Sequence, residues 1–161
     1  MDLDIAFADA ALAALDHHYQ SMPPVAALQL RIAGFDGQCL RLQAPLAAHV
    51  NDKGCAFGGS LASLMTLAGW GLVTLRLQQA GLSVEVFVAD SQLRYRAPLF
   101  ADLQAQARLA DRESWDEFFA KLRDRGRAGI HLAACVRLPD GGIAAECKAR
   151  YVAITKGYDG P

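Results

Sequence analysis

The chain has 161 residues, which suits one domain with a sizeable hydrophobic core, and we expect that domain to span residues 1–161. With 53% hydrophobic residues and a formal net charge of −1, neither a nucleic acid nor a membrane is an expected partner. The four cysteines lack the CxxC spacing of zinc and redox motifs, and the N-terminal residues are acidic where a secretory signal is basic. We therefore expect a cytoplasmic protein.

The first half of the chain predicts a helix followed by two strands. Apolar residues share one face of a helix over residues 4–20, and two consecutive prolines end it. Two strands follow within residues 27–46, joined by a turn at Asp36-Gly37, which is a hairpin signal. A loop over residues 46–57 then leads into the most apolar part of the chain.

A helix over residues 58–79 is the longest predicted element. Residues 54–75 carry no charged side chain, and their number is sufficient to span a bilayer. Five glycines and four Ser or Thr residues in this stretch favour the centre of a folded core instead. Gly81 stands where a left-handed cap is expected to end the helix. One sheet cannot cover every side of an apolar helix, so we expect a second subunit to cover the rest.

The second half of the chain alternates with a period of two residues, as half-buried strands do. Strands are predicted over residues 84–99, 103–109, 128–138 and 143–154, with a short helix over 114–124. Ser114 and Glu117 form a capping box at the start of that helix. The order of elements predicts an α+β fold in which an antiparallel sheet wraps around the long apolar helix.

Two adjacent glycines, Gly58 and Gly59, stand where the long helix is predicted to begin. The first N–H groups of a helix have no partner within it, and the helix dipole favours negative charge there. Because glycine has no side chain, a carbonyl oxygen can approach these groups closely. The pair therefore indicates an oxyanion site, or alternatively a helix start that packs tightly on a strand.

The residues at this helix start resemble a known family. Asn51, Gly54, Phe57, Gly58 and Gly59 match the pattern N-x-x-G-x-x-[HF]-G-G of the hotdog-fold thioesterases. With AFGGSLASLMTLAGWGL, VADSQLRYRAPL and RYVAI, the chain more closely resembles the YiiD C-terminal-like thioesterases, over the hotdog core at about residues 25–155. The resemblance implies a hotdog fold and hydrolysis of acyl-CoA or acyl-carrier-protein thioesters. It also implies a homodimer or a homotetramer (dimer of dimers) with sites at the subunit interface, and coenzyme A only as part of the substrate, without another cofactor.

Two positions depart from the better-known hotdog thioesterases. Many of these enzymes carry His where this chain has Phe57, and several carry Asp or Glu where it has Thr66. A threonine hydroxyl can hold a water but cannot act as a carboxylate base. If the protein is an enzyme, its base has to come from elsewhere.

Asp90 is the acid that we expect to serve as the general base. It interrupts a run of alternating valines on one strand face, and burial raises the pKa of a carboxyl group toward that of a useful base. Alternatively, Asp90 pairs with Arg94 or lies at a bulge. Ser91 is a candidate for binding substrate, but it faces the opposite side from Asp90 unless a bulge intervenes, so only one of the two is expected at the site. Asn51 orients the water or contacts the thioester, or else it caps its own loop.

Further side chains are expected to bind substrate. Phe57 lines an acyl tunnel in this interpretation, and Ser60 and Ser63 lie in the first turns of the helix, although helical Ser commonly bonds back to the preceding turn. Arg123 and Arg125 belong to a basic cluster that suits CoA phosphates or an acidic carrier protein, or else a solvated helix end. No spacing of His, Cys, Asp or Glu predicts a metal site.

The leading interpretation is an acyl thioesterase whose catalytic residues are Asn51, Gly58, Gly59, Thr66 and Asp90. The second is a protein that binds acyl thioesters without turnover, because the helix carboxylate of related enzymes is absent. The third is a hotdog dehydratase or isomerase, a reaction that usually needs a His paired with Asp or Glu.

Overall fold

The structure, a computed structural model, describes residues 3–158, so the ends of the predicted domain at residues 1–2 and 159–161 lie outside it. Its helices are α1 (Leu3–Ser21), α2 (Pro23–Ala26), α3 (Gly58–Gln79) and α4 (Trp115–Arg125), with a 3-10 turn at Leu46–Ala48. Its strands are β1 (Arg31–Phe35), β2 (Leu40–Ala44), β3 (Val84–Tyr95), β4 (Leu103–Leu109), β5 (Arg127–Arg137) and β6 (Ile143–Thr155).

The six strands form one antiparallel sheet in the order β1-β2-β4-β5-β6-β3. Strands β1 and β3 are therefore its edges. The inner face of the sheet packs on α3, and alternate strand residues such as Ile130, Leu132 and Ala149 are buried there. We call the opposite face the outer face. The expected antiparallel sheet around a long apolar helix is confirmed.

Helix α3 begins at Gly58 and ends at Gln79, as predicted, and Gly81 follows it with a φ of 71°. It is long and apolar enough to cross a membrane, and 61% of its most apolar window is buried inside the fold. Helix α1 covers part of the side that the sheet leaves open, where the Tyr19 hydroxyl donates to the Leu67 carbonyl at 2.7 Å. Part of the cover that we expected from a second subunit thus comes from the chain itself.

The glycines within α3 make room for two buried tyrosines. The Tyr151 hydroxyl donates to the Thr66 carbonyl at 2.8 Å, and a Cβ at Gly69 would overlap the Tyr151 hydroxyl. A Cβ at Gly71 would overlap the Tyr19 hydroxyl in the same way. Burial raises the pKa of both tyrosines above the usual range, so their hydroxyls keep their protons and remain donors.

Strand β3 is shorter than predicted and contains an irregularity. It ends at Tyr95 because the amides of Arg96 and Ala97 both donate to the Ala144 carbonyl, at 2.8 and 3.1 Å, and Pro98 has no N–H to continue a ladder. Its register against β6 shifts between Val88 and Asp90. This bulge decides which face each later side chain occupies.

Helix α4 lies beside the C-terminal end of α3. Ser114 caps its start by accepting from the Glu117 amide at 3.3 Å, as expected of the capping box. The Arg76 guanidinium lies 5.1 Å from the centre of the Trp115 ring, and Arg123 donates to the Ala80 carbonyl at 3.3 Å. These contacts fix α4 at the end of α3 that is remote from Gly58.

Candidate active site

A short antiparallel loop brings the chain to the start of α3. The backbone N–H of Asn51 donates a hydrogen bond to the Cys55 carbonyl, and the backbone N–H of Phe57 donates one to the His49 carbonyl, each at 2.8 Å. Ala56 donates to the Leu99 carbonyl at 2.8 Å, which ties the loop to the segment after β3. The direction in which α3 begins is therefore set by backbone hydrogen bonds.

The first two amides of α3 are available to a ligand. The Phe57 carbonyl accepts from the amides of Ser60 and Leu61, at 3.0 and 3.2 Å, and Phe57 provides no side-chain cap. Among the groups that the structure describes, namely the backbone of residues 3–158 and the side chains of residues 7–158, none accepts a hydrogen bond from the amide of Gly58 or Gly59. Gly59 is exposed and Gly58 is partly exposed. Two free donors at the positive end of a helix dipole can stabilise an oxyanion.

Two aromatic side chains, Phe57 and Tyr95, lie beside these glycines. Phe57 and Tyr95 are 57% and 55% exposed, and the Tyr95 hydroxyl donates to the Gly58 carbonyl at 3.2 Å. A Cβ at Gly58 would lie 3.5 Å from the Tyr95 ring. Phe100, 64% exposed, follows the Leu99 to which the loop is tied. Tyr95 was not among the predicted site residues, although it is the tyrosine of the stretch VADSQLRYRAPL that carries the family resemblance.

Both the oxygen and the nitrogen of the Asn51 side-chain amide contact residues of the same loop. Its Oδ1 accepts from the amides of Lys53 and Cys55, at 2.8 and 3.2 Å, and its Nδ2 lies 3.3 Å from the Cys55 sulfur. The alternative of a loop-capping asparagine therefore describes the structure. Asn51 supports the loop that presents Gly58 and does not aim its amide at a ligand.

Ser60 points into the protein and not toward a substrate. It is 8% exposed, and its hydroxyl lies 2.8 Å from Nδ1 of His49, which is itself 4% exposed. Because Nε2 of His49 lies 2.6 Å from the Leu28 carbonyl, Nε2 carries the proton and Nδ1 accepts from Ser60. The expectation that Ser60 binds substrate is wrong, because its hydroxyl is turned toward His49 inside the protein. A lone histidine in a loop is expected to face water, so the burial of His49 differs from what its sequence context indicates.

Ser63 and Thr66 occupy different depths along α3. The Ser63 hydroxyl donates to the Gly59 carbonyl at 2.9 Å, so it lies one turn from the free amides with its lone pairs still available. Thr66 lies eight residues beyond Gly58, which is about 12 Å along the helix axis. Within one subunit, Thr66 is too far to act on a carbonyl held at Gly58.

Asp90 is exposed and faces away from α3. Arg150 holds one of its oxygens through Nε at 2.9 Å and Nη2 at 2.8 Å, and the Asp90 side chain is 62% exposed. The expectation of a buried base is wrong because the bulge after Val88 puts Asp90 opposite Arg150, on the outer face. Ser91 is opposite the buried Ala149 and so lies on the inner face. Strands paired edge to edge keep their faces, so a second copy added along β3 would also keep Asp90 on the outer side.

Arg123 and Arg125 lie near the far end of α3. Ala80, which accepts from Arg123, is 22 residues beyond Gly58, or about 33 Å along the helix. Arg125 lies 3.8 Å from the neighbouring Asp124. In one subunit, these arginines cannot share a site with Gly58 and Gly59, so the alternative of a solvated helix end describes them.

Solved structures share this architecture. A Shewanella oneidensis protein described as a putative thioesterase is 28% identical, with 91% of this chain and 99% of that chain covered and a TM-score of 0.82. A protein of unknown function from Chlorobaculum tepidum is 27% identical, with 92% and 94% coverage and a TM-score of 0.82. A thioesterase from Haemophilus influenzae is 14% identical, with 91% of this chain and 94% of that chain covered and a TM-score of 0.69. At that identity the similarity shows only that the two proteins share a fold.

The sheet wrapped around α3, with the glycine pair at the start of the helix, defines a hotdog-fold protein of the thioesterase type. The model of the family described as "Putative thioesterase (yiiD_Cterm)" matches residues 12–155. The chain belongs to that family.

Proposed function

We propose that this protein is an acyl thioesterase that hydrolyses acyl-CoA or acyl-carrier-protein thioesters. The observation that carries the proposal is the pair of amides at Gly58 and Gly59, which donate to no described group and lie on partly or fully exposed residues at the start of a 22-residue helix. A thioester carbonyl placed there would meet two donors when its oxygen gains negative charge. One such donor is typically worth about 3–4 kcal/mol of transition-state stabilisation.

The reaction needs a water beside the polarised carbonyl. The Ser63 hydroxyl, already oriented by its bond to the Gly59 carbonyl, would accept a hydrogen bond from that water. The water oxygen adds to the carbonyl carbon, the C–S bond breaks, and the thiol leaves with one of the water's protons. Phe57 and Tyr95 would line the approach of the acyl chain or of the thiol arm.

A second copy of the chain would complete the site. Phe87 and Val88 are 51% and 47% exposed on the edge strand β3, which supports a homodimer, or a dimer of dimers, paired along that edge. A carbonyl held by one subunit could then be reached by Thr66 of the partner. The Thr66 hydroxyl would hold the water there, without serving as the base that we expected of Asp90.

Substitution of Gly58 by Ala tests the oxyanion role. The added Cβ would lie 3.5 Å from the Tyr95 ring, an ordinary contact, so we expect the fold to persist. The methyl group stands where the carbonyl must approach, and we expect kcat/KM for acyl-CoA thiol release to fall about 10- to 100-fold. Thermal unfolding of the same samples provides the control. Unchanged kcat/KM in a folded Gly58→Ala variant would remove the proposed oxyanion site.

The alternative is a protein that binds acyl thioesters without hydrolysing them. It is favoured by one observation, namely that the carboxylate predicted for the site lies on the outer face. It predicts saturable binding of acyl-CoA with no thiol release from either CoA or carrier-protein thioesters. A dehydratase or isomerase has less support, because the His131–Glu113 pair, 2.7 Å apart, lies on the outer face as well.

A further inference from the structure

A hollow lies on the outer face of the sheet, on the side opposite α3. It has a volume of about 470 Å³ and extends across strands β3 to β6. Ala133 and Cys135 form its floor, because β5 presents small side chains there while longer ones rise from the strands on either side. A hollow of this size can hold a small ligand.

The charges around this outer hollow are strongly unequal. Four cations line it, Arg94, Arg108, Arg137 and Lys148, against one carboxylate, Glu146. That carboxylate is already engaged, because Arg96 donates to its Oε1 at 2.6 Å from outside the hollow. The bond to Arg96 lowers the pKa of Glu146, so it remains ionised and paired at neutral pH.

Two of the cations have no carboxylate partner in the part of the chain that is described. Arg108 lies 3.3 Å from Asp111, and Arg137 donates to the Gly141 carbonyl at 3.2 Å. For Arg94 and Lys148, by contrast, no carboxylate oxygen within residues 7–158 lies within 4.0 Å. Glu146 is opposite Arg94 in the strand register, and the Arg94 charge also helps to lower the Glu146 pKa, but the carboxylate hydrogen-bonds to Arg96. The strand register makes Arg94 and Lys148 diagonal neighbours on β3 and β6.

Amide side chains complete the lining. Gln92 is opposite Lys148 on the neighbouring strand, and Gln106 is opposite Cys135. Each amide can donate two hydrogen bonds. The chain as a whole has a formal net charge of only −1, so this concentration of cations and amide donors is local and does not reflect a basic protein.

We propose that the outer hollow binds the phosphate or pyrophosphate group of a small ligand. Arg94 would supply a forked pair of donors, Lys148 a point charge, and the two glutamines neutral donors, which suits phosphate oxygens. The site is separate from the amides of Gly58 and Gly59, because the sheet lies between them. It does not rest on the proposed hydrolysis.

Binding of inorganic pyrophosphate, measured by calorimetry at constant ionic strength, tests the site. We expect saturable binding with one pyrophosphate per chain, weakened at least about tenfold in Arg94→Gln/Lys148→Gln. The matched control is Lys121→Gln/Arg127→Gln, which removes the same charges from exposed positions outside the hollow and should bind as the wild type does. Absence of binding, or equal weakening in both variants, would overturn the proposal.

Hydrogen exchange locates the site and vesicles identify the source of the phosphate. Pyrophosphate should protect amides of residues 92–94 and 146–148 and leave residues 57–60 unchanged; protection only at 57–60 would refute a separate site. Sedimentation with phosphatidic acid vesicles, lost in the same double variant, would indicate a lipid headgroup. Pyrophosphate binding without such sedimentation would indicate a soluble phosphate ligand.

Discussion

At the scale of single residues, the Asp90 carboxylate is held by two nitrogens of Arg150 on the outer face, away from the free amides of α3. The sheet therefore separates this carboxylate from a water bound at Gly58. We therefore predict that Asp90→Asn retains thioester hydrolysis within about threefold of the wild type, a change of less than 1 kcal/mol in the barrier. Thiol release from acyl-CoAs of several chain lengths measures this. A loss of 100-fold or more, in a variant that melts normally, would restore Asp90 as a base.

Ser60 and Ser63 are three residues apart on α3 and provide a matched pair. Ser60→Ala leaves Nδ1 of the buried His49 without its donor, so we predict a loss of about 1–3 kcal/mol in the free energy of unfolding. Ser63→Ala removes only a bond within its own helix and should cost less than about 0.5 kcal/mol.

Urea unfolding measures both changes, and kinetics separates the two roles. Ser63→Ala should lower kcat because the proposed water loses its acceptor, whereas folded Ser60→Ala should retain its activity. The opposite pattern, with activity lost only in Ser60→Ala, would place the Ser60 hydroxyl at the reacting carbonyl.

Which site residues the sequence could predict depended on how local their determinants are. The start of α3 at Gly58 was predicted correctly because a helix start is a local property, visible in the glycine pair and the apolar run after it. Asp90 was misplaced because a bulge one residue earlier reverses the face of every later side chain. The burial of His49 depends on Leu28 and Ser60, which are 21 and 11 residues away, and no local pattern contains that information.

At the scale of elements, the β1–β2 hairpin depends on the Asp36 carboxylate. Its Oδ1 accepts from the amides of Gln38 and Cys39, at 2.8 and 2.7 Å, and these bonds lower its pKa. A lowered folded-state pKa means that Asp36 stabilises the fold above its unfolded pKa and that this contribution is lost as the pH falls through the folded value. Asp36→Asn, which keeps the acceptor without the charge, isolates that contribution.

We predict that the free energy of unfolding at pH 7 is lower in Asp36→Asn than in the wild type. The difference should be less than about 1 kcal/mol, because the site is exposed. The difference should shrink toward zero as the pH falls below about 4, where the wild-type carboxylate also becomes neutral. Urea unfolding of both proteins between pH 2 and 7, at about constant ionic strength, measures it. A difference that is independent of pH would show that the charge of Asp36 contributes nothing.

Helix and strand boundaries were predicted unequally well for a physical reason. Helix α3 was predicted to the residue because Gly58 at its start and Gly81 just beyond its end are chemical signals in the sequence itself. The end of β3 depends on Ala144, a residue on another strand whose carbonyl accepts hydrogen bonds from the amides of Arg96 and Ala97. A strand boundary set by a distant partner cannot be read from alternation along one segment.

In the molecule as a whole, α3 lies between the sheet and α1, and the β3 edge of the sheet carries exposed apolar side chains. Strand β3 presents Phe87 and Val88 there, and at the end of the same strand Tyr95 is exposed beside Gly58, next to the exposed Phe57. Exposed large apolar side chains beside an unpaired strand edge are typical of a surface that another chain covers. The same surface adjoins the amides that we assign to the reaction, so assembly and activity should depend on each other.

We predict that light scattering gives a mass of two chains of 17.3 kDa each, or of four for a dimer of dimers. We also predict that Val88→Lys dissociates the dimer into single chains. The lysine would place an unpaired charge against the partner strand, and side-chain charges of this kind are how edge strands avoid pairing. Hydrolysis should fall with dissociation, because Thr66 lies about 12 Å from its own Gly58 and could reach a carbonyl only from the partner. The matched control is Phe7→Lys, which replaces a similarly exposed apolar residue on α1, away from β3. A Val88→Lys protein that is monomeric, folded and fully active would show that one subunit holds the complete site.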